Sequence, residues 1–443
     1  MTDRPVAVLA HGLGGSTDLP IPLSYALIGA AWALTFTFAV VAFAWRTPRF
    51  DPDKPGHALP QWVTTVVDAA VTRWLLAAAG LLFAGWVAMA ALFGTSDHNP
   101  VPGVFYVFMW IGLVALSLAI GPVWRAISPP RTLYRLLRLA RLPSGRGYPR
   151  RLGYWPGVLG LFAFVWLELA SPDPGSLGAI RLWLLSYLVV TLAGAIVCGD
   201  GWFSRADPFE VYSVVASRFS PFRRNPASGR IEIGNPFDHL PSLPVRPGAV
   251  TMLAVLLGST AFDSFSASPD WRNFADHYAH SATANSLLRS AGLVVFVAVV
   301  AVSFSLAARA TGGVDRSTRR ELPGRMAHSL IPIVLGYMFA HYLSYLVERG
   351  QQTVIDLADP LNRDWNLLGL GDAGVSYLLS LHPSVLATIK VCCVVGGHVA
   401  GVVAAHDRAL RVLPKGYQLT GQLAMMLVMV GYTFTGLYLL FGG

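Results

Sequence analysis

The sequence predicts an all-α, multi-pass membrane protein, a bundle of about ten transmembrane helices. Its apolar stretches are each long enough to cross the hydrocarbon core of a bilayer. Hydrophobic residues make up 54% of the 443 residues and charged residues only 13%, which is too apolar for the surface of a soluble protein of this size. The loops between the stretches are alternately rich and poor in arginine, as expected of a chain that crosses a membrane back and forth.

The apolar stretches define the spans in order along the chain. We expect one integral membrane domain over residues 1–443, and both termini on the same side, because an even number of crossings returns the chain to its starting side. The predicted spans cover about 22–45, 74–94, 103–124, 154–170, 180–199, 249–266, 290–308, 327–347, 384–405 and 420–441.

Loop charge predicts the orientation of the bundle. Segment 125–151 contains eight arginines and segment 46–73 contains four basic residues, whereas 95–102 and 171–179 contain none. With ten spans, every basic loop falls on one side, which the positive-inside rule makes cytoplasmic. The sequence therefore predicts a plasma-membrane protein with both termini outside. The other basic loops are 205–246, 309–325 and 408–415.

The net charge of +9 has a membrane explanation, because most basic residues lie in short loops beside apolar spans. We therefore expect the lipid bilayer as the main partner, with anionic lipid at the basic inner loops, and no nucleic acid. The basic stretch 133–142 is read either as an amphipathic helix on the inner leaflet or as a charge run that orients insertion. The inner loop 200–248 lacks a phosphate-binding glycine motif, which argues against nucleotide-driven pumping by this chain.

The eighth predicted span has the richest set of polar side chains. Their spacing of 4, 3, 1 and 3 residues places them on one helical face, in the outer half of the span. Ionisable groups inside a membrane face a cavity or each other, so this face predicts an outward-facing substrate or ion site with a histidine and a glutamate at its base. The alternative is ordinary hydrogen bonding between helices. The residues are Tyr337, His341, Ser344, Tyr345 and Glu348.

Lys390 is the only lysine within a predicted span. We expect it to pair with a carboxylate of another span, with Glu348 as the first choice and Asp263 or Glu168 behind it. A lysine that extends its ammonium to the interface is the alternative. Gly397 and Gly401 form a small-xxx-small pattern on nearly the same helical face, which predicts that this face packs on protein.

Carboxylates and histidines near other outer span ends extend the candidate site. Glu168 and Asp263 lie near such ends, and Asp263 shares its helical face with serines that suit a cation or a polar substrate. Outside the membrane, His277 and His280 are three residues apart, a spacing that suits one metal ion if the segment is helical. The sequence thus leaves open a divalent metal held by His277, His280 and His341. His11 also lies outside.

Four stretches resemble a family of poorly characterised polytopic bacterial and archaeal membrane proteins, some of them labelled fenitrothion hydrolase. The resemblance implies the multi-span architecture. It also implies hydrolysis of organophosphate esters by a metal-activated water near His341, Glu348 and the outer histidines. The stretches are Ala10 to Pro22 (AHGLGGSTDLPIP), Ser259 to Trp271 (STAFDSFSASPDW), Ile331 to Gln351 (IPIVLGYMFAHYLSYLVERGQ) and Gly397 to Leu410 (GHVAGVVAAHDRAL).

Three classes of function fit these observations. A transporter or channel explains the spans and their internal charges. A membrane-embedded, metal-dependent hydrolase explains why the polar residues crowd into the outer half. A scaffold subunit of a membrane complex, with other subunits as partners, explains the spans alone. A continuous polar path from His328 to Glu348 favours transport, whereas a closed outer pocket with three or more metal ligands favours an enzyme; the sequence identifies no catalytic residue.

Overall fold

The computed structural model describes residues 16–96, 98–139 and 147–442, and in these it contains ten helices long and apolar enough to cross a membrane. The predicted all-α bundle is confirmed. We number the helices span 1 to span 10: Leu23–Ala44, Ala70–Phe93, Pro100–Ile120, Arg150–Leu169, Leu177–Gly201, Ala249–Ser266, Ala282–Arg309, Arg316–Ala358, Pro383–Val412 and Thr420–Phe441.

The helices are longer than the apolar stretches that predicted them. Span 7 begins at Ala282, where the Ser281 side chain caps the helix. Hydropathy places the start of this span too late, because its first two turns contain polar residues. Span 8 extends from Arg316 to Ala358 and protrudes from both ends of the apolar segment. Span 3 contains a π-helical stretch, Val104–Gly112, a rare geometry that is often found near functional sites.

Shorter elements lie between the spans. A small antiparallel sheet has the strand order β1-β3-β2, with β1 at His57–Ala58, β2 at Phe222–Arg224 and β3 at Ile231–Ile233. Nothing in the sequence analysis predicted it. The short helices are Ser16–Asp18, Gln61–Asp68, Trp124–Ile127, Pro129–Leu136, Phe203–Ala206, Pro208–Ser217, Pro236–His239, Leu240–Ser242, Pro269–Tyr278 and Lys415–Tyr417.

The basic loops meet at one end of the bundle, which we call the arginine-rich end. The Asp407 carboxylate accepts hydrogen bonds from the backbone N–H groups of Arg49 and Phe50, at 2.5 and 3.2 Å. Glu232 accepts one from Gly56 N–H, at 2.8 Å. These bonds join loops that are far apart in the sequence.

The loops with few arginines meet at the other end, which we call the arginine-poor end. There Tyr106 donates a hydrogen bond to the Pro174 carbonyl at 2.8 Å, and Trp86 donates one to the Leu357 carbonyl at 3.1 Å. The two ends therefore alternate as the loop charges indicated. Which end faces the cytoplasm stays a prediction.

Two short helices, Pro208–Ser217 and Pro129–Leu136, fold back into the bundle from the arginine-rich end. In helix Pro208–Ser217 every residue but one is buried. Its first proline packs on Gly160 of span 4, whose Cβ, if present, would lie 3.0 Å from the Pro208 ring. Glu210 forms ion pairs with Arg131 and, at 3.2 Å, with Arg125. The buried Glu210–Arg131 pair ties helix Pro129–Leu136 to the bundle.

Spans 8 and 9 approach each other closely at their glycines. A Cβ on Gly397 would lie 2.5 Å from the Pro332 carbonyl oxygen, and one on Gly336 would lie 2.3 Å from the Cys393 carbonyl oxygen. Only glycine permits this approach of two backbones. The predicted small-xxx-small face of span 9 is confirmed, and it places spans 8 and 9 in register at the level of the candidate site.

Candidate functional site

An acid–base pair lies between spans 6 and 8. The Asp263 carboxylate is 2.9 Å from His341 Nε2, and it also accepts a hydrogen bond of 2.8 Å from the Tyr342 hydroxyl. His341 is completely buried and Asp263 is 7% exposed. The sequence had placed these residues in one candidate site without joining them, and the structure brings them into direct contact.

The second nitrogen of His341 is bonded as well. His341 Nδ1 is 3.0 Å from Ser264 Oγ, which is also 3.1 Å from the Tyr337 hydroxyl. Because Asp263 and Ser264 are consecutive in span 6, one turn of helix supplies a partner to each side of the imidazole ring. We call Asp263, Ser264, Tyr337, His341 and Tyr342 the acid–base cluster.

A count of donors locates the mobile proton of the acid–base cluster. Ser264 Oγ donates to the Thr260 carbonyl at 3.2 Å, and a carbonyl can only accept. If all these contacts form together, Ser264 has no proton left, so His341 Nδ1 donates to it. One proton then lies between His341 Nε2 and Asp263, either on the imidazole as an ion pair or on the carboxyl as a neutral pair. The arrangement is chemically suited to taking up and releasing one proton.

The acid–base cluster is closed toward the arginine-rich end by packed aromatic rings. Trp110, in the π-helical part of span 3, stacks on Tyr212 of the infolded helix with ring centroids 5.4 Å apart. Tyr212 donates a hydrogen bond to the Trp110 carbonyl at 3.2 Å, and its hydroxyl is 3.5 Å from the sulfur of Met338. Trp110 also meets the edge of the Tyr342 ring. These contacts form a floor beneath the acid–base cluster.

A polar cavity of about 220 Å³ opens at the arginine-poor end, between the end of span 4 and the first two turns of span 7. Glu168 and Arg289 supply charged side chains to its wall, together with Asn285, Ser286 and Ser171. The cavity is much larger than one water molecule needs and smaller than the roughly 300–1,000 Å³ of a site for a drug-sized ligand. We call it the vestibule.

Arg289 connects the vestibule to the acid–base cluster. Its Nε donates to the Leu169 carbonyl at 2.7 Å, which fixes the guanidinium against the end of span 4. Its Nη2 is 3.4 Å from Ser266 Oγ, one turn beyond Asp263 in span 6. The positive charge of Arg289 and the carboxylate of Glu168 both act electrostatically on Asp263, with opposite signs. A charge that enters the vestibule therefore changes the field at Asp263.

The polar stripe of span 8 points into the protein, as the spacing indicated, but its members have different partners. Tyr337, His341 and Ser344 are buried in the bundle. Tyr345 is half-buried and lies within electrostatic range of Glu168. Glu348 instead accepts hydrogen bonds from the backbone N–H and hydroxyl of Ser380, at 3.0 and 2.9 Å. Glu348 thus anchors the loop before span 9 to span 8.

Lys390 is buried, with 1% of its surface exposed, which argues against a side chain that reaches the lipid interface. The carboxylate that acts on its ammonium is Asp18, in the short helix before span 1. The expected first partner, Glu348, is bonded to Ser380. Asp18 precedes the first span and was therefore not among the carboxylates that the sequence suggested for Lys390.

The outer histidines do not form the metal set that the sequence left open. Helix Pro269–Tyr278 ends before His280, so His277 and His280 do not share a helical face, and both are exposed. The two nitrogens of His341 are held by Asp263 and Ser264. Among the described residues, no three His, Cys, Asp or Glu side chains are grouped as metal ligands. His11 lies outside the described part of the chain.

Within span 8, the described residues contain no polar side chain between Ser329 and Tyr337. His328 is buried at the arginine-rich end, and residues 330–336 between it and Tyr337 are apolar or glycine. His398 in span 9 donates a hydrogen bond of 2.8 Å from Nδ1 to the Val394 carbonyl, so this histidine is bonded to its own helix. The arrangement is a vestibule open at one end and a packed floor at the other.

Sequence reasoning missed Arg289, Ser264 and Tyr342 as members of the site. Arg289 precedes the predicted start of span 7, at residue 290, so it was assigned to the preceding loop. Two weak signals were present: Ser264 directly follows Asp263, and Tyr342 directly follows His341.

Comparison of this chain with protein-family models, with curated proteins and with solved structures finds no match.

Proposed function

We propose that this protein is a proton-coupled transporter of a small polar solute, with the vestibule as its outward-facing binding site and the Asp263–His341 pair as its proton site. One observation carries the proposal: the buried Asp263–His341 pair lies beside a polar cavity and is linked to it through Arg289. Intramembrane ionisable pairs of this kind are typical of proton relays in transporters.

The one-sided opening of the vestibule supports the same proposal. A channel needs a path through the bundle, whereas a transporter exposes its site to one side at a time. The aromatic floor of Trp110 and Tyr212 separates the acid–base cluster from the arginine-rich end. If that end is cytoplasmic in the plasma membrane, as the loop charges predict, the structure corresponds to an outward-facing, inward-closed state. The basic loops at that end would then meet anionic lipid.

A second candidate function rests on the order Ser264, His341, Asp263. Ser264 Oγ, 3.0 Å from His341 Nδ1, has the geometry of a serine nucleophile beside its base, with Asp263 behind the ring at 2.9 Å. A hydrolase would agree with the family resemblance. However, Ser264 is 1% exposed and is not part of the vestibule wall, so an ester has no route to it. Transport is therefore the better supported function.

The test is electrophysiology on proteoliposomes adsorbed to a solid-supported membrane. Solute jumps would present L-amino acids, short carboxylates, amines, phosphate and hexoses in turn, each under an inward pH gradient. We expect a transient current for at least one class, and its loss in Asp263→Asn. Absence of current for every class, or a wild-type current in Asp263→Asn, would contradict the proposal.

A matched variant separates loss of function from loss of structure. Asp356→Asn removes a carboxylate of span 8 that accepts a hydrogen bond from Gln352 at the arginine-poor end. It should keep the current. A fluorophosphonate probe tests the second candidate on the same preparations: covalent labelling of wild type that Ser264→Ala abolishes would favour the hydrolase.

A further inference from the structure

The vestibule wall contains one arginine and one glutamate, which come from different spans. Arg289 comes from the second turn of span 7, and Glu168 comes from the last turn of span 4. A site for a simple anion needs only the guanidinium, and a site for a simple cation needs only the carboxylate. The presence of both at one small cavity indicates a ligand that has both charges.

Arg289 is prepared to receive an anionic group. The bond from its Nε to the Leu169 carbonyl holds the guanidinium plane, and its other hydrogen bond to a described residue is the long 3.4 Å contact from Nη2 to Ser266 Oγ. An arginine fixed in this way still presents N–H groups in the fork that matches a carboxylate. The start of span 7 adds the partial positive charge of a helix N-terminus on the same side.

A neighbouring part of the vestibule suits an ammonium group. Glu168 supplies a carboxylate, and Asn285 Oδ1 is a buried acceptor that receives no hydrogen bond from the described residues. A buried acceptor without a donor is energetically costly, and a ligand N–H would remove that cost. Asn285 lies one turn before Arg289 in span 7, so neighbouring side chains of one helix would contact both ends of a short ligand.

We infer that the vestibule binds a small zwitterion of the α-amino acid type, with its carboxylate on Arg289 and its ammonium between Glu168 and Asn285. The volume of about 220 Å³ restricts the side chain of the ligand to a few heavy atoms. The inference rests on the proposed function for its meaning, since it names the class of solute that the transporter carries. Its binding step, however, can be measured without transport.

Binding is tested on the full-length protein in detergent by thermal unfolding with added glycine, L-alanine, acetate or methylammonium. We expect glycine and L-alanine to raise Tm in a saturable manner, and acetate or methylammonium alone to give no comparable rise. Arg289→Gln and Glu168→Gln should each weaken glycine binding about tenfold or more, the effect of losing one charge-assisted hydrogen bond. Asn285→Ala, which leaves both charges and the fold's ion pairs intact, should weaken it less.

Two results would overturn the inference. One is the absence of any Tm rise with zwitterions; the other is a rise that acetate reproduces and Glu168→Gln does not alter. Asp356→Asn serves as the control and should bind glycine as the wild type does. The outcome is distinguishable from failure of the proposed function: currents with another solute class would defeat only this inference. If glycine binds and the Asp263→Asn variant gives the same current as the wild type, only the proton coupling is contradicted.

Discussion

At the residue scale, the structure shows how this chain stabilises charges in a membrane. Asp263 is held by His341 and Tyr342, and Glu348 by two donors of Ser380. A buried charge with its partners removed is costly, which explains why these two carboxylates have defined contacts. The two carboxylates nevertheless differ in role. Glu348 is bonded to a loop, whereas Asp263 shares a proton with a base.

The electrostatic partner of Lys390 gives a prediction at this scale. Lys390→Met and Asp18→Asn should each lower the Tm of the detergent-purified protein, because each leaves a charge of the other residue in a poorly solvated place. The double variant should recover part of the loss, so the two effects should be less than additive.

The control for this cycle is the pair Lys390→Met and Glu348→Gln, whose effects should add, because Glu348 is bonded to Ser380. Coupling in the control pair and strict additivity in the Asp18 pair would show that the assignment of partners is wrong.

At the element scale, the contact of spans 8 and 9 sets the position of the acid–base cluster. Span 8 supplies Tyr337, His341 and Tyr342, and its glycine at 336 meets the backbone of span 9. The infolded helix Pro208–Ser217 supplies the floor through Tyr212. A displacement of span 8 therefore changes the site and its closure together.

Gly397 and its neighbour Gly396 test this contact. A Cβ at Gly397 would lie 2.5 Å from the Pro332 carbonyl oxygen, whereas one at Gly396 would meet no atom within 4 Å. Gly397→Ala should therefore destabilise the protein by about 1–3 kcal/mol, the usual cost of overpacking a core. Gly396→Ala, on the same helix, should be neutral or slightly stabilising. Equal effects on Tm in a thermal melt would disprove the close approach.

The elements also show what the sequence could predict. Hydropathy found all ten spans, because burial in lipid requires long apolar runs that a single sequence displays. The pairing of Asp263 with His341 depends on which spans are neighbours, and periodicity along one helix contains no such information. Arg289 was missed for a related reason, since its turn of span 7 is too polar to register as membrane-spanning. Asp18 lies before the first span and was therefore not considered for Lys390.

At the scale of the whole molecule, the chain has one open end and one closed end. The vestibule lies at the arginine-poor end, and the infolded helices and the small sheet lie toward the arginine-rich end. This asymmetry is what a transporter in an outward-facing state needs, provided that the arginine-rich end is cytoplasmic.

Cysteine accessibility in intact cells tests the orientation. In a variant without the native cysteines, we expect cysteines at Ser96 and Ser176 to react with an impermeant maleimide. A cysteine at Ser228, exposed in the turn between β2 and β3 at the arginine-rich end, should react only after permeabilisation. Labelling of the cysteine at position 228, with protection of the other two, would show that the molecule has the opposite orientation in the membrane.

The central claim is that Asp263 exchanges a proton as solute crosses, and internal pH measures it directly. Proteoliposomes that enclose a pH-sensitive dye in dilute buffer would receive external glycine, or whichever solute class gives a current in the screen. The account predicts a solute-dependent change of internal pH in the wild type that Asp263→Asn abolishes and Asp356→Asn retains. Entry of solute without a change of internal pH, or an unchanged response in Asp263→Asn, would contradict it.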